Sequence, residues 1–561
     1  MQRTFLGVLL VIVLTGTAVL MAEDLQLDIL WTNDIHGGID PYEATFMNPD
    51  FPPTLGGGGS HATYVNNIRK LSGDKRDNFL IDAGDFFQGH PIGTVTKGKA
   101  VIDYMNKIGY DLLVLGNHEY DIGEEELKKT LSLAEFPILS CNIFDRSTGK
   151  LVSYAEPYRM FEKMGLRIAV IGVTTTDTKM MSFPENIKNV EFRPAKPEVE
   201  KYIKIVREKE NADIVILVGH MGLPYSPEPA YQQRYIEKKE EEQEARRWGY
   251  DAQEIAHEVQ GIDLMVGGHI HKGIAEPWED PVTHTLVVQG YAYGSGIGHI
   301  TLTIDPVTKT VSGYELPAMR EGMMVTMFED EFIPEPEIAA AIAEQQEIAE
   351  AGMDEVIGTA SIHLTKDGDA QSLIGNMVCD AMVWAGDADF SFLNLGGIRG
   401  AISKGPITYR DVFNVMPFDN AMVVLEIDGK LLKDIIELRV SGSRHGLRTS
   451  GAKIVYSRKR ADFDRVTALE IQGEPWQADK IYKVATTDFL LQGNAGLAML
   501  TKLPESQITM LESTLRDNIV NYIKKNSPVS AKIDDRWQRD DEAEMSKILA
   551  EELSKLPSKK N

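Results

Sequence analysis

The chain has only two cysteines in 561 residues, Cys141 and Cys379. No disulfide framework can account for its stability, and because the two fall in different expected domains, no bridge between them is expected. Positive charge is scarce as well. Lys and Arg number 58 against 84 Asp and Glu, a net charge of −26. Such a surface repels polyanions, which argues against nucleic acid and against anionic membrane surfaces as partners. Beyond the N-terminus there is no apolar run long enough to span a bilayer. The glycine stretch Gly56–Gly59 is followed by no Gly-Lys-Ser/Thr, so it is not a phosphate loop. No internal repeat is present. A chain this acidic that acts on an anionic substrate needs local positive charge, and bound metal ions are one source of it.

What is present is an ordinary globular balance, 43% hydrophobic and 25% charged, over a length that fits two domains or more. Residues 1–22 read as an export signal: Arg3 supplies the charged start, Phe5–Leu14 the apolar run, and cleavage fits after Ala18 or Ala22. An uncleaved anchor is the alternative. No cysteine lies near the cut, so a lipoprotein is not expected. A disulfide-free exported chain suits a bacterial periplasm or the exterior, with no stable membrane insertion after cleavage. From 23 to 333 short apolar runs alternate with helical segments, the pattern of an α/β domain. The strand-like runs are Leu27–Trp31, Phe79–Ile81, Leu112–Leu115, Ile168–Val173, Ile214–Val218 and Leu264–Val266, and Val199, Tyr202, Ile203 and Val206 stand at helical spacing. A charged insert, 221–257, contains Ile236–Arg247 (IEKKEEEQEARR), a helix with a Glu242–Arg246 pair. It reads either as a solvated surface helix or as a cap beside the site. A Pro-punctuated helical connector is expected over 334–354, a second α/β domain over 355–527, and a charged tail over 528–561 with Met545, Ile548, Leu549 and Leu553 on one helical face.

Five short motifs end predicted strands in the first domain: Asp34-Ile35-His36, Gly84-Asp85, Gly116-Asn117-His118-Glu119 with Asp121, Gly219-His220, and Gly268-His269-Ile270-His271. Groups at the carboxyl ends of strands converge on one crevice in open α/β sheets. Asp, Asn and His are the donors that suit Zn, Mn or Fe, and with no Cys among them a structural thiolate zinc site is excluded. Two divalent ions close together need roughly seven such ligands with one carboxylate shared, and the motifs supply that number. Each motif alone is weak, since a Gly-Asp pair usually marks a turn and a lone His is usually structural. All five together, in this order and each after a strand, point to a dinuclear site.

With these motifs the chain resembles the two-domain 5′-nucleotidases, a family that includes bacterial UDP-sugar hydrolase and ecto-5′-nucleotidase. The resemblance runs from Leu25 to about Lys525. It implies a calcineurin-like metallophosphoesterase sandwich of mixed sheets flanked by helices, followed by a separate α/β 5′-nucleotidase C-terminal domain. It also implies two divalent metal ions, with Asp34, His36 and His271 on one, Asn117, His220 and His269 on the other, and Asp85 bridging. His118 is the implied catalytic histidine and Asp121 its partner. The implied reaction is hydrolysis of nucleotides, of the 5′-nucleotidase or nucleotide-sugar hydrolase type, by metal-activated hydroxide attack on phosphorus.

In the second domain Ser372–Met382 matches the family's opening helix, and Asn394-Leu395-Gly396-Gly397-Ile398-Arg399 its substrate loop. Asn394, Gly397 and Arg399 are the implied substrate contacts, Arg399 on phosphate. Phe418 is the implied base-stacking ring, with a plain core aromatic as the alternative. The chain then departs. Where relatives carry Gly-Gly-Asp-Gly-Phe/Tyr it has Gly493-Asn494-Ala495-Gly496-Leu497, so Leu497 is expected at a substrate position without an aromatic face. Ahead of the first helix, Lys366-Asp367-Gly368 stands where relatives carry an Arg. The separation of His220 from His269 is long for the family, and the charged insert fills it. The same chemistry on a non-nucleotide ester, or a catalytically silent binding protein, are the alternatives.

Overall fold

The first strand is buried on both faces, as strands in a covered parallel sheet are. In β1 (Leu25–Thr32), Leu27, Ile29 and Trp31 enter one hydrophobic cluster and Leu30 another. The same alternation recurs in β2 (Arg76–Asp82), where Phe79 and Ile81 oppose Leu80, and in β3 (Leu112–Val114), where Leu112 and Val114 oppose Leu113. These three strands run parallel. The structure is a computed structural model that describes residues 23–541 apart from 45–46, 49–50, 183–184, 238–248, 318–321, 369, 419, 442–445 and 492.

A second sheet holds β4 (Leu166–Thr174), β5 (Ile214–His220), β6 (Leu264–Gly267) and β7 (Leu286–Gln289), all parallel to their neighbours. β8 (Gly296–Ile304) returns to the first sheet, antiparallel to β1. The two sheets stack: Leu27, Ile29, Phe79 and Val114 share one cluster with Ile168, Ile216, Val218 and Val266. On the outer face of the second sheet lies α1 (Ala195–Glu208), whose Val199, Tyr202, Ile203 and Val206 are buried as their spacing requires. This is the expected calcineurin-like sandwich, and each expected strand run lies within or at the end of a strand. The segment read as a connector forms α2 (Pro336–Ala349), and its Ile338, Ile342 and Ala349 join the cluster containing Ile39 and Tyr104. These three positions are therefore buried in the first domain's core, while Ile348 on the same helix is exposed.

In the C-terminal domain α3 (Leu373–Gly386) packs on a five-stranded mixed sheet. At the sheet's centre are β9 (Phe390–Asn394), β10 (Ala421–Asp428) and β11 (Ile481–Thr487), with β9 parallel and β10 antiparallel to β11. A four-stranded sheet adjoins it. The expected tail needs correction at its start. Trp537–Arg539 pairs parallel with Ala452–Tyr456, and Arg536 bonds Asp380 at 3.1 Å and Asp534 at 2.8 Å. A three-residue strand is too short to show a period. The export signal, most of the charged helix of the insert, and the tail helix lie outside the described residues.

Candidate active site

The candidate ligands sit where strands end. Asp34 and His36 follow β1, Asp85 follows β2, Asn117 and His118 follow β3, His220 closes β5, and His269 and His271 follow β6. Five of these residues hold left-handed backbone: φ is 51° at Asp34, 51° at His36, 58° at Asp85, 77° at His269 and 56° at His271. Non-glycine residues rarely adopt that region, and such strain gathers where the fold must aim side chains at one point. Gly84 lets the loops close: a Cβ there would lie 2.7 Å from the Gly116 nitrogen and 2.8 Å from His220 Nδ1.

Two groups of donors result, Asp34–His36–His271 and Asp85–His220–His269. Within the first, His271 Nε2 lies 2.9 Å from His36 Nε2 and 3.4 Å from Asp34 Oδ1. Within the second, His220 Nε2 lies 3.0 Å from Asp85 Oδ2, and Asn117 Oδ1 is 3.2 Å from the same nitrogen. Asp85 stands between the groups, its Oδ2 also 4.0 Å from His36 Nε2. The imidazoles are oriented for ligation. Nδ1 of His36 donates to the Gln88 carbonyl at 2.5 Å, and Nδ1 of His220 to the Ala83 carbonyl at 2.8 Å. Each Nε2 lone pair is thereby turned inward, as a metal ligand requires.

The electrostatics agree with a cation site. Burial alone would raise both carboxyls, but surrounding imidazoles hold them below the usual range: His271 and His220 at Asp34, His220 and His118 at Asp85. Burial pushes the His269 imidazole down to about 4 and His36 well below its ordinary value, which keeps both neutral. At His220 burial acts downward too, but Asp85 outweighs it and lifts the imidazole to about 10. A proton and a divalent cation compete for such a position.

His118 lies beside these groups without joining either. Its main-chain N–H donates to Asp85 Oδ1 at 2.8 Å, and its Nδ1 is 2.6 Å from Asp121 Oδ2. Burial lowers the imidazole's proton affinity, but Asp121 and Asp85 outweigh it and hold its pKa at about 9. The C-terminal domain closes this side. Phe418 stacks on His118, centroids 5.8 Å apart and planes at 16°, and the Arg399 guanidinium lies 5.0 Å over the Phe418 ring. The Arg399 main-chain N–H bonds the Val415 carbonyl at 2.8 Å, which ties the Asn394–Arg399 loop to the Phe418 loop. Asn394 and Gly397 share that loop, with Asn394 Oδ1 3.1 Å from where a Gly397 Cβ would stand. Arg399 Nε is buried without a protein partner, a donor fit for an anion.

Leu497 is not at this face. It has no exposed surface and belongs to the second domain's core. An apolar side chain in that loop is drawn inward, so the expected substrate contact is withdrawn. Phe489 is only half-buried and follows Asp488, whose carboxylate accepts from Asn420 in the Phe418 loop at 3.3 Å. Motif reasoning assigned no role to Glu119, although it stands in the Gly-Asn-His-Glu motif. Its buried carboxylate accepts main-chain N–H bonds from Phe86 at 2.8 Å, Asp85 at 3.1 Å and Gly116 at 2.5 Å. Asn33, also missed, bonds Asp34 Oδ2 at 2.7 Å.

Comparison with known proteins gives two family matches: calcineurin-like phosphoesterase over residues 27–273 and 5′-nucleotidase, C-terminal domain, over residues 353–502. The chain is 27% identical over 573 residues to a 5′-nucleotidase of Vibrio cholerae, covering 94% of this chain and 96% of that one. It is 28% identical over 526 residues to endonuclease YhcR of Bacillus subtilis, covering 90% of this chain but 40% of that protein's length. The crystal structure of a 5′-nucleotidase precursor from Thermus thermophilus has the same fold, with a TM-score of 0.77 at 23% identity over 92% of this chain and 99% of that one.

Proposed function

We propose, starting from a chain that belongs to the two-domain 5′-nucleotidase family of calcineurin-like metallophosphoesterases, that it hydrolyses phosphate esters of nucleotides with two divalent ions in place. Asp34, His36 and His271 would hold one ion and Asn117, His220 and His269 the other, with Asp85 between them. Bound there, the ions supply Lewis acidity toward phosphate oxygens and lower the pKa of coordinated water toward neutrality. His118, fixed by Asp121, presents a protonated imidazole to the phosphoryl oxygens and stabilises the charge that develops on them. Arg399 brings a second cation from the other domain, and Phe418 offers a face to the base.

The observation that carries the reading is the position of Asp85. One carboxylate oxygen lies between the two donor groups, 4.0 Å from His36 and 3.0 Å from His220, while the other takes the main-chain N–H of His118. A single side chain thus sets the spacing of both groups and of the dyad. The same reading assigns 23–333 to the metal domain, 334–354 to a connector and 355–527 to the substrate domain. It also takes 1–22 as an export signal, which the apolar run after Arg3 supports. Among the described residues no helix is long and apolar enough to cross a membrane.

The test is metal analysis joined to turnover on nucleoside phosphates, nucleotide sugars, cyclic nucleotides and simple phosphate esters. The native chain should bind two ions and turn over nucleotides. His118→Ala should keep both ions and lose roughly 10²-fold or more in turnover. Loss of both ions with His118 would make it a ligand and overturn the division of roles.

A further inference from the structure

Asp82 is a fully buried carboxyl that has no part in either donor group. It ends β2 and stands opposite Thr32, the last residue of β1, in the parallel pair. Its Oδ1 accepts the Gly84 N–H at 2.9 Å and so closes the turn over Ala83 and Gly84 that leads into Asp85. Its Oδ2 lies 2.7 Å from the Thr32 hydroxyl. From this rung the two ligand loops run on side by side. The Ala83 N–H bonds the Thr32 carbonyl at 2.9 Å, the Asp34 N–H the Gly84 carbonyl at 2.8 Å, and the His36 N–H the Asp85 carbonyl at 3.0 Å. Asp82 therefore stands at the root of the loop that carries Asp34 and His36 and of the loop that carries Asp85.

Among the described residues its side chain bonds only to Thr32 and Gly84, and neither is a cation. Burial pushes its pKa well above the usual carboxylate range, against those two bonds, and the charges of Glu119 and Asp34 act in the same direction as burial. A buried carboxylate without a cation is costly, and keeping its proton removes that cost.

The hydroxyls beyond Thr32 agree. Thr32 Oγ1 is 2.8 Å from the Tyr110 hydroxyl, Tyr110 bonds the Tyr104 hydroxyl, and that hydroxyl lies 2.8 Å from His61 Nδ1. His61 Nε2 is 3.0 Å from the Gly294 carbonyl and must donate to it. A neutral His61 then accepts at Nδ1. Tyr104 donates to it, Tyr110 to Tyr104, Thr32 to Tyr110, and Asp82 to Thr32. Each hydroxyl gives one proton and takes one, and the chain closes only when Asp82 carries a proton. An ionised Asp82 would reverse every bond and require a cationic His61 that donates from both nitrogens. That places a second charge in the core, and burial lowers the His61 pKa to about 4.

We propose that Asp82 is a positioning residue of the metal site: as a neutral acid it donates to Thr32 while accepting from Gly84, and so sets the separation of the loops that bear Asp34, His36 and Asp85. This rests on the dinuclear reading above.

The test compares Asp82→Asn with Asp82→Leu in the full chain. An amide accepts from Gly84 and donates to Thr32 as a neutral acid does, but it cannot replace an anion. Leucine is of similar size and does neither. The infrared difference between the native chain and Asp82→Asn at neutral pH should contain the carbonyl stretch of a protonated carboxylic acid. Affinity for Zn or Mn, measured by equilibrium dialysis, should stay close to native in Asp82→Asn. It should fall by about 10- to 100-fold in Asp82→Leu, the scale for loss of an outer partner of a ligand. Thr32→Val, which removes the hydroxyl and keeps the shape, should lower it too. Circular dichroism establishes that the variants are folded. Absence of the carbonyl band overturns the neutral acid, as does an Asp82→Asn protein that binds the ions as weakly as Asp82→Leu. Folded Asp82→Leu and Thr32→Val proteins with native affinity overturn the positioning role. A native chain that holds neither ion overturns the dinuclear reading and the positioning role together, while the carbonyl band still decides the charge of Asp82.

Discussion

The ring of Phe418, from the second domain, lies parallel to that of His118, from the first, with 5.8 Å between centroids. One face of Phe418 is thus turned to the His118–Asp121 pair, and the Arg399 guanidinium lies 5.0 Å from the ring centroid. A base that stacks on Phe418 is held within reach of both. Phe418→Ala should raise KM for nucleoside monophosphates by about tenfold, and KM for a small aryl phosphate much less. An equal rise for both substrates would mean that Phe418 supports His118 and binds no base, and the non-nucleotide reading would then be preferred.

Glu119 makes a second prediction. Its carboxylate is the common acceptor for N–H groups of Asp85, Phe86 and Gly116, so it holds the loops after β2 and β3 at a fixed separation. Asp85 and Asn117 ride on those loops. Glu119→Gln replaces one acceptor oxygen by a donor that faces main-chain N–H, and at least one bond must be lost. Metal affinity should fall by about 10- to 100-fold, the scale seen when an outer partner of a ligand is removed. Equilibrium dialysis of the folded variant measures this. Unchanged metal affinity with only a lower Tm would assign Glu119 to stability alone.

The two clusters of candidate donors were open to reading because each combines two local signals, an apolar run and then a donor residue, and a strand's end is where such residues gather. The α/β class was legible for the same reason: Leu27–Trp31 and Ile168–Val173 are nearly continuous apolar runs, as parallel strands covered on both faces must be. What joins distant segments was not legible. The Gln289 side chain joins residues 223 and 272 by hydrogen bonds, and nothing near any of the three announces the others. Leu497 was misplaced because its loop departs from the family pattern, and burial of a leucine depends on neighbours that a motif does not name. The Trp537–Arg539 strand was too short to show alternation.

A third prediction concerns acid stability. His61 is fully buried, with Nδ1 2.8 Å from the Tyr104 hydroxyl and Nε2 3.0 Å from the Gly294 carbonyl. A neutral imidazole satisfies both, donating from Nε2 and accepting at Nδ1. Burial lowers its pKa from 6.5 to about 4, although the bond to Gly294 acts the other way. The unfolded chain therefore takes up a proton below about pH 6.5 that the folded chain refuses until about pH 4. The stability His61 contributes is complete above that window and is lost as pH falls through it. The loss is on the order of 3 kcal/mol. Denaturant unfolding of the native chain and of His61→Gln, compared from pH 7 to pH 4, should show a shallower decline in the variant. Parallel declines would show that His61 does not carry the effect.

The last prediction separates Leu497 from Phe489 in the second domain. Leu497 has no exposed surface and packs within a core that includes Leu490 and Leu500, whereas Phe489 packs on the edge of that core, half-buried, and follows Asp488, which accepts from Asn420 in the Phe418 loop. If Leu497 faced the substrate, Leu497→Phe would add a stacking ring and tighten nucleotide binding. Because it lies in the core, the larger ring has no space and must displace its neighbours. Overpacking of this kind costs about 1–3 kcal/mol. Leu497→Phe should therefore lower stability and leave KM for nucleoside monophosphates unimproved, while Phe489→Ala should raise that KM. Thermal unfolding and KM measured on both variants decide the matter. A Leu497→Phe protein with native stability and a lower KM would put that residue back at the substrate.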